Sequence, residues 1–105
     1  MGIYMDLDNM ECYFSKNGSL ESATGVTINA SRTGFYYFHC IDYTGTSGNR
    51  WTFQWNFGGG SIWSVSSGNT DDNGYGNFEY SPNITGDSEA KKFYALNTKN
   101  LAEYG

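Results

Sequence analysis

Asp6 and Asp8 stand two residues apart, and Glu11 follows across what reads as a tight turn. Paired carboxylates carry out glycoside hydrolysis, one as acid and the other as base or nucleophile. That chemistry needs a cleft and one carboxyl with a raised pKa, and the sequence supplies neither. At a hairpin tip the same residues shape a turn and form a solvated edge, which is the expectation here. Asn69-Thr70-Asp71-Asp72-Asn73-Gly74 opens like a calcium loop, with side-chain oxygens at the first, third and fifth places and Gly at the sixth. The match then breaks. Tyr80 holds the twelfth place, Glu79 comes one place early, and the first place is Asn rather than Asp. A polar loop without metal is the simpler reading.

Other reactive groups are sparse. His39 is the single histidine and lies in an aromatic run, where a packed strand residue is expected rather than a base. Cys12 and Cys40 with His39 do not make a tetrahedral zinc set. Each cysteine sits among aromatics, so two reduced, core-facing thiols are expected ahead of a disulfide. No G-x-S-x-G elbow is present, and Gly58-Gly59-Gly60 lacks the Lys-Ser/Thr of a phosphate loop, leaving a turn or a close backbone passage. Asn17-Gly18-Ser19, Asn29-Ala30-Ser31 and Asn83-Ile84-Thr85 match the glycosylation triplet, read as chance because no secretory signal opens the sequence. The expectation is no catalytic residue, no metal and no cofactor.

Binding is better served. Trp63 and Tyr75 lie in Gly-rich segments, where a ring offers a rigid flat face to a sugar or a protein. The competing reading folds these rings back to cap the core. Arg50, beside the loop at 44–49, and Asp72, in the loop at 61–76, complete the candidate binding set. Arg50 also has Asp42 across its loop as an ion-pair partner, a contact worth little if exposed.

The elements that would position these residues are strands. Trp51, Phe53, Trp55 and Phe57 alternate with Thr52, Gln54 and Asn56, so a strand places all four rings on one face. Residues 3–7 and 11–16 read as a hairpin around a turn at 8–10, and Asn17-Gly18 closes the second strand. Val26 and Ile28 alternate. Residues 35–42 read as a central strand, 77–80 as a short one and 92–97 as the last, with 101–105 as a tail and no helix. The stretch 58–76 is a long Gly/Ser/Asn/Asp loop, functional or packed by its own side chains. At 105 residues the chain is one domain, residues 1–105. Its 18% aromatic content and 14 Gly against 1 Pro suit an all-β, antiparallel β-sandwich. A net charge of −5 repels phosphate backbones, which argues against nucleic acid. No apolar run approaches the roughly 20 residues of a membrane-spanning helix.

Three blocks in order resemble SPRY domains. Asp6-Leu7-Asp8 with Cys12-Tyr13-Phe14-Ser15-Lys16-Asn17-Gly18 resembles the family's D-L-D…F-x-K-N-G hairpin. Trp55-Asn56-Phe57-Gly58 resembles its V-N-F-G strand. Phe93-Tyr94-Ala95-Leu96-Asn97-Thr98-Lys99-Asn100-Leu101 resembles the F-x-A-L-x-T-x-N-L segment closing many bacterial and phage versions. With Asn73-Gly74-Tyr75-Gly76-Asn77-Phe78 ahead of it, the pattern is most similar to SPRY-like regions of tailed-phage structural proteins, tail fibres included. The resemblance implies a concanavalin A-like sandwich and a non-enzymatic interaction module of a virion, binding through loops, here 44–49 and 61–76. Implied partners are another protein, a cell-surface glycan or neighbouring virion subunits, with homo-oligomers among the options. A purely structural packing domain and a lectin-like or glycan-active fragment are the alternatives. Family members carry several strands before the D-L-D block, which here starts at residue 6. Either the front of the domain is lost or this is a piece of a longer polypeptide, and the expectation is a sandwich whose edges and inner rings are covered by neighbouring subunits or by other parts of the same virion.

Overall fold

In the computed structural model, residues 1–29, 31, 36–41, 48, 52–59, 64–83 and 91–104 are described. β1 (Gly2–Asp6) and β2 (Glu11–Lys16) pair antiparallel, in register from Gly2 opposite Ser15 to Asp6 opposite Glu11. The sequence reading carried the first strand on to Leu7, but Leu7 belongs to the turn. Asp6 ends the strand because its carboxylate accepts both the Asn9 backbone N–H, at 3.0 Å, and the Asn9 Nδ2, at 2.9 Å. Asn17 and Gly18 make a two-residue turn with φ of 51° and 81°, the left-handed pair that matches strand twist. β3 (Ser19–Leu20) returns beside Ser15 and Lys16, and β4 (Val26–Thr27) pairs with Glu11 and Cys12. Both occupy the edge of β2 that β1 leaves open.

Side-chain alternation gives β2 one buried face. Tyr13 and Ser15 are each 3% exposed, whereas Phe14 and Lys16 point outward. The Tyr4 hydroxyl and Ser15 Oγ lie 3.1 Å apart, and Phe93 covers the face, its ring 5.2 Å from Tyr4 and 6.2 Å from Tyr13.

Elsewhere the expected strands are not formed among the described residues. Residues 36–41 and 52–57 meet through rings instead of a ladder: Phe38 lies 5.8 Å from both Trp55 and Phe57. Trp55 stacks on Phe57 at 6.1 Å and 9°, so these two do share a face, as the alternation requires. Residues 77–80 contribute a single bridge, Phe78 to Asn69. Residues 92–97 keep a period-two burial pattern, with Phe93 and Ala95 inward and Tyr94 and Leu96 outward, but they join no strand. The physical reason is competition. Side chains of Asn56, Asp71 and Asn100 take the backbone groups that a ladder would use.

The expected tail is a helix, α1 (Thr98–Tyr104). Asn97 caps it: its Oδ1 accepts the Asn100 N–H at 2.9 Å and its carbonyl accepts Leu101 N–H at 3.1 Å. Among the described residues the regular structure is therefore an antiparallel sheet with one short helix, in keeping with the all-β class. The core is thin. Tyr13, Pro82 and Ala95 are the buried apolar side chains among the described residues.

Candidate functional site

Asp71 organises the loop that holds two of the four candidate binding residues. Its Oδ1 accepts the backbone N–H groups of Asn73, at 3.0 Å, and Tyr75, at 2.9 Å. The turn is tightened by Asp71 N–H to Tyr75 C=O at 2.8 Å and Gly74 N–H to Asp71 C=O at 3.0 Å. Oδ2 reaches the closing segment, accepting Ala95 N–H at 2.9 Å and Asn100 Nδ2 at 2.7 Å. Asp71 is 4% exposed. Burial pushes its carboxyl up, and the donors from Ala95, Asn100, Tyr75 and Asn73 outweigh that and hold it low. A carboxylate saturated by four N–H donors has no lone pair aimed at a cation or a proton. It builds structure.

Three stretches meet at this point. Asn69 and Phe78 exchange backbone hydrogen bonds of 2.8 and 2.9 Å, closing the loop. Asn56 donates Nδ2 to Asn77 C=O at 2.8 Å, and its Oδ1 accepts Gly58 N–H at 2.8 Å. Gly58, with φ of 96°, is buried so deeply that a Cβ would lie 2.9 Å from the Phe78 ring and 3.0 Å from both Ala95 Cβ and Gly76 Cα. The close backbone passage expected at this glycine is what is found.

Tyr75 and Asp72 both face the closing segment. The Tyr75 hydroxyl donates to Glu103 Oε2 at 2.6 Å, and Lys99 Nζ stands 5.5 Å from the ring centroid. The bond to Glu103 raises the phenol's pKa. Asp72 pairs with Lys92 and accepts Asn83 Nδ2 at 2.7 Å; the Lys92 bond, then the Asn83 bond, lower its carboxyl. Trp63 and Arg50 lie outside the described residues, as does Asp42. Beside this loop, Glu79 accepts Ser66 Oγ and, at 2.7 Å, Ser66 N–H, which lower its carboxyl.

The carboxylates at the hairpin tip form a second cluster. Asp6 and Glu11 are register partners, and Lys91 Nζ bridges them at 3.5 and 3.3 Å. Lys91 also donates to the Tyr13 hydroxyl, which in turn donates to Glu11, and Lys91 Nζ sits 4.6 Å from the Tyr13 centroid. Asn9, ahead of Lys91, holds the Asp6 carboxyl low, the opposite of what a glycosidase acid needs. The bond to Tyr13 is the first cause that raises the Lys91 ammonium, and the bond to Glu11 raises the Tyr13 phenol. Asp8, grouped with Asp6 by spacing, is exposed in the turn.

Cys12 and Cys40 are unbonded and half-buried, and burial raises the Cys12 thiol. His39 is exposed, its ring 6.3 Å from Tyr37. Among the described residues no three His, Cys, Asp or Glu side chains gather as metal ligands. None of their helices is long and apolar enough to cross a membrane. Comparison with protein-family models, with curated proteins and with solved structures finds no match to this chain.

Sequence reasoning missed Lys91, Ala95, Asn97 and Asn100. Asn97, three residues ahead of Asn100 and followed by Leu101-Ala102-Glu103, is a readable helix start. Nothing local singles out Lys91, whose partners lie at the other end of the chain.

Proposed function

We propose that the chain is a non-enzymatic interaction module of a virion structural protein, with the SPRY-like sandwich architecture that its motifs resemble. The hairpin contributes the antiparallel sheet, and the aromatic segments at 36–41 and 52–57 contribute packed rings in place of a second ladder. Neighbouring protein covers the outward rings. The supporting observation is how the side chains divide. Asp6, Glu11, Asp71, Asp72 and Glu79 are each engaged by internal donors. The large apolar groups turn outward: Tyr37 is 83% exposed, Ile41 68% and Phe53 49%. Such a surface favours burial against a partner over proton transfer. The loop at 64–76 is tied down by Asp71 and Glu79, so a partner meets a preformed surface and loses less freedom on binding.

A second reading, packing against other subunits alone, draws on Tyr75, whose hydroxyl is spent on Glu103 instead of facing a ligand. Sedimentation of the purified chain, alone and with Tyr37→Ser plus Ile41→Ser, tests the proposal alongside binding to virion subunits and to host cells. The wild type should associate with itself or bind, and the double variant should lose this with its unfolding midpoint unchanged. Binding to cells favours host recognition; binding to subunits alone favours packing. A monodisperse monomer that binds neither, or a preparation that turns over a polysaccharide, would overturn the proposal.

A further inference from the structure

The chain contains two Asn-Gly pairs, Asn17-Gly18 and Asn73-Gly74, and the fold treats them in opposite ways. In an Asn-Gly pair the glycine nitrogen can attack the Asn side-chain carbonyl, since no side chain hinders its approach. Asn is for this reason among the thermolabile residues. Asn17 is exposed at the tip of the β2–β3 turn. Among the described residues, neither its carboxamide nor the Gly18 N–H has a hydrogen-bond partner. At the other pair both reacting groups are held. Asn73 Nδ2 donates to Asn100 Oδ1 at 2.9 Å, and the Gly74 N–H donates to Asp71 C=O at 3.0 Å.

We propose that Asn17 is a site of spontaneous modification, deamidating with water as the co-reactant, and that the fold protects Asn73. The Gly18 nitrogen loses its proton and bonds to Asn17 Cγ. The Cγ–Nδ2 bond then breaks and ammonia leaves, giving a five-membered succinimide. Water opens either ring carbonyl, yielding aspartate or isoaspartate, with no change in oxidation state. Either product adds one negative charge to a chain already at −5. The isoaspartate also lengthens the main chain inside a turn of fixed register between Lys16 and Ser19. Gly18 rests against Tyr80 so closely that a Cβ would stand 2.6 Å from its ring, so the longer chain unseats that contact.

The test is peptide mapping by mass spectrometry of the full chain aged in mildly alkaline buffer, folded and in urea. Attack at Asn73 requires two hydrogen bonds to open first, so Asn17 should convert faster in the folded protein by on the order of 30-fold. In urea the two rates should converge. Asn17→Gln should abolish the fast conversion and leave the Asn73 rate unchanged. Equal rates in the folded protein, or a faster Asn73, would overturn the proposal. So would an Asn17 that stays intact for as long as the unfolded chain takes to convert.

Discussion

Asn100 Nδ2 lies 2.7 Å from Asp71 Oδ2 and 2.9 Å from the Ala95 carbonyl, joining a loop, an extended segment and a helix through one amide. Its Oδ1 accepts from Asn73 as well, so the buried side chain leaves no polar atom idle. Partnered buried amides of this kind are costly to disturb, because truncation strands the groups that faced them.

Asp71→Ala removes the acceptor of four N–H groups, and two of the donors, Ala95 N–H and Asn100 Nδ2, are left in a buried position. A loss of about 3 kcal/mol is expected, with about 2 kcal/mol for Asn100→Ala. Urea unfolding followed by aromatic fluorescence measures both. A double variant should cost much less than the sum, since the two side chains share one bond.

Gly58→Ala tests the close passage. Its positive φ alone costs about 1–2 kcal/mol with a Cβ present. The overlap with Phe78, Ala95 and Gly76 adds to that. Gly59→Ala, where a Cβ meets nothing within 4 Å, is the control and should stay near wild type. Equal midpoints for the two variants would contradict the packing described.

Acid should weaken the protein through its carboxylates. Asp71 and Asp6 are held below their ordinary value, the first by N–H donors that outweigh its burial, the second chiefly by Asn9. Their stabilisation is therefore complete above the unfolded-chain pKa of about 3.9 and is lost as pH falls through the lower folded-state values. Unfolding midpoints should hold steady near neutrality and drop below about pH 4. Asp71→Asn should flatten part of that drop.

Lys91→Met removes the cation between Asp6 and Glu11 while keeping an unbranched side chain of similar length. The variant should be less stable than wild type and less sensitive to added salt, because the screened attraction is gone. Unfolding at low and high salt reads both effects. Unchanged salt sensitivity would count against the bridge.

The β1–β2–β3 meander was legible because its determinants are local: alternating side chains, Asp6 next to the Asn9 it bonds, and an Asn-Gly turn between β2 and β3. The shared face of Trp55 and Phe57 followed from the same alternation. The segments at 52–57 and 92–97 carried an equally clear period-two pattern and formed no strand. Alternation fixes which way a side chain points, whereas a ladder also needs free backbone groups. At Ala95 both groups are taken, by Asp71 and Asn100, and these are 24 and 5 residues away. In the same way Tyr75 read as a loop aromatic because Glu103, the residue that ties it down, lies 28 positions later.

Adjacent lysines near the carboxyl end grip different parts of the molecule, Lys91 the hairpin tip and Lys92 the loop at Asp72. Asp6 is 85 positions ahead of its cation. During synthesis the hairpin tip emerges with Asp6 bonded to Asn9 and Glu11 to the Tyr13 hydroxyl, but both carboxylates lack their cation until Lys91 follows. A nascent chain halted before Lys91 therefore has the hairpin without the cation that joins its tip to the segment at 91–97.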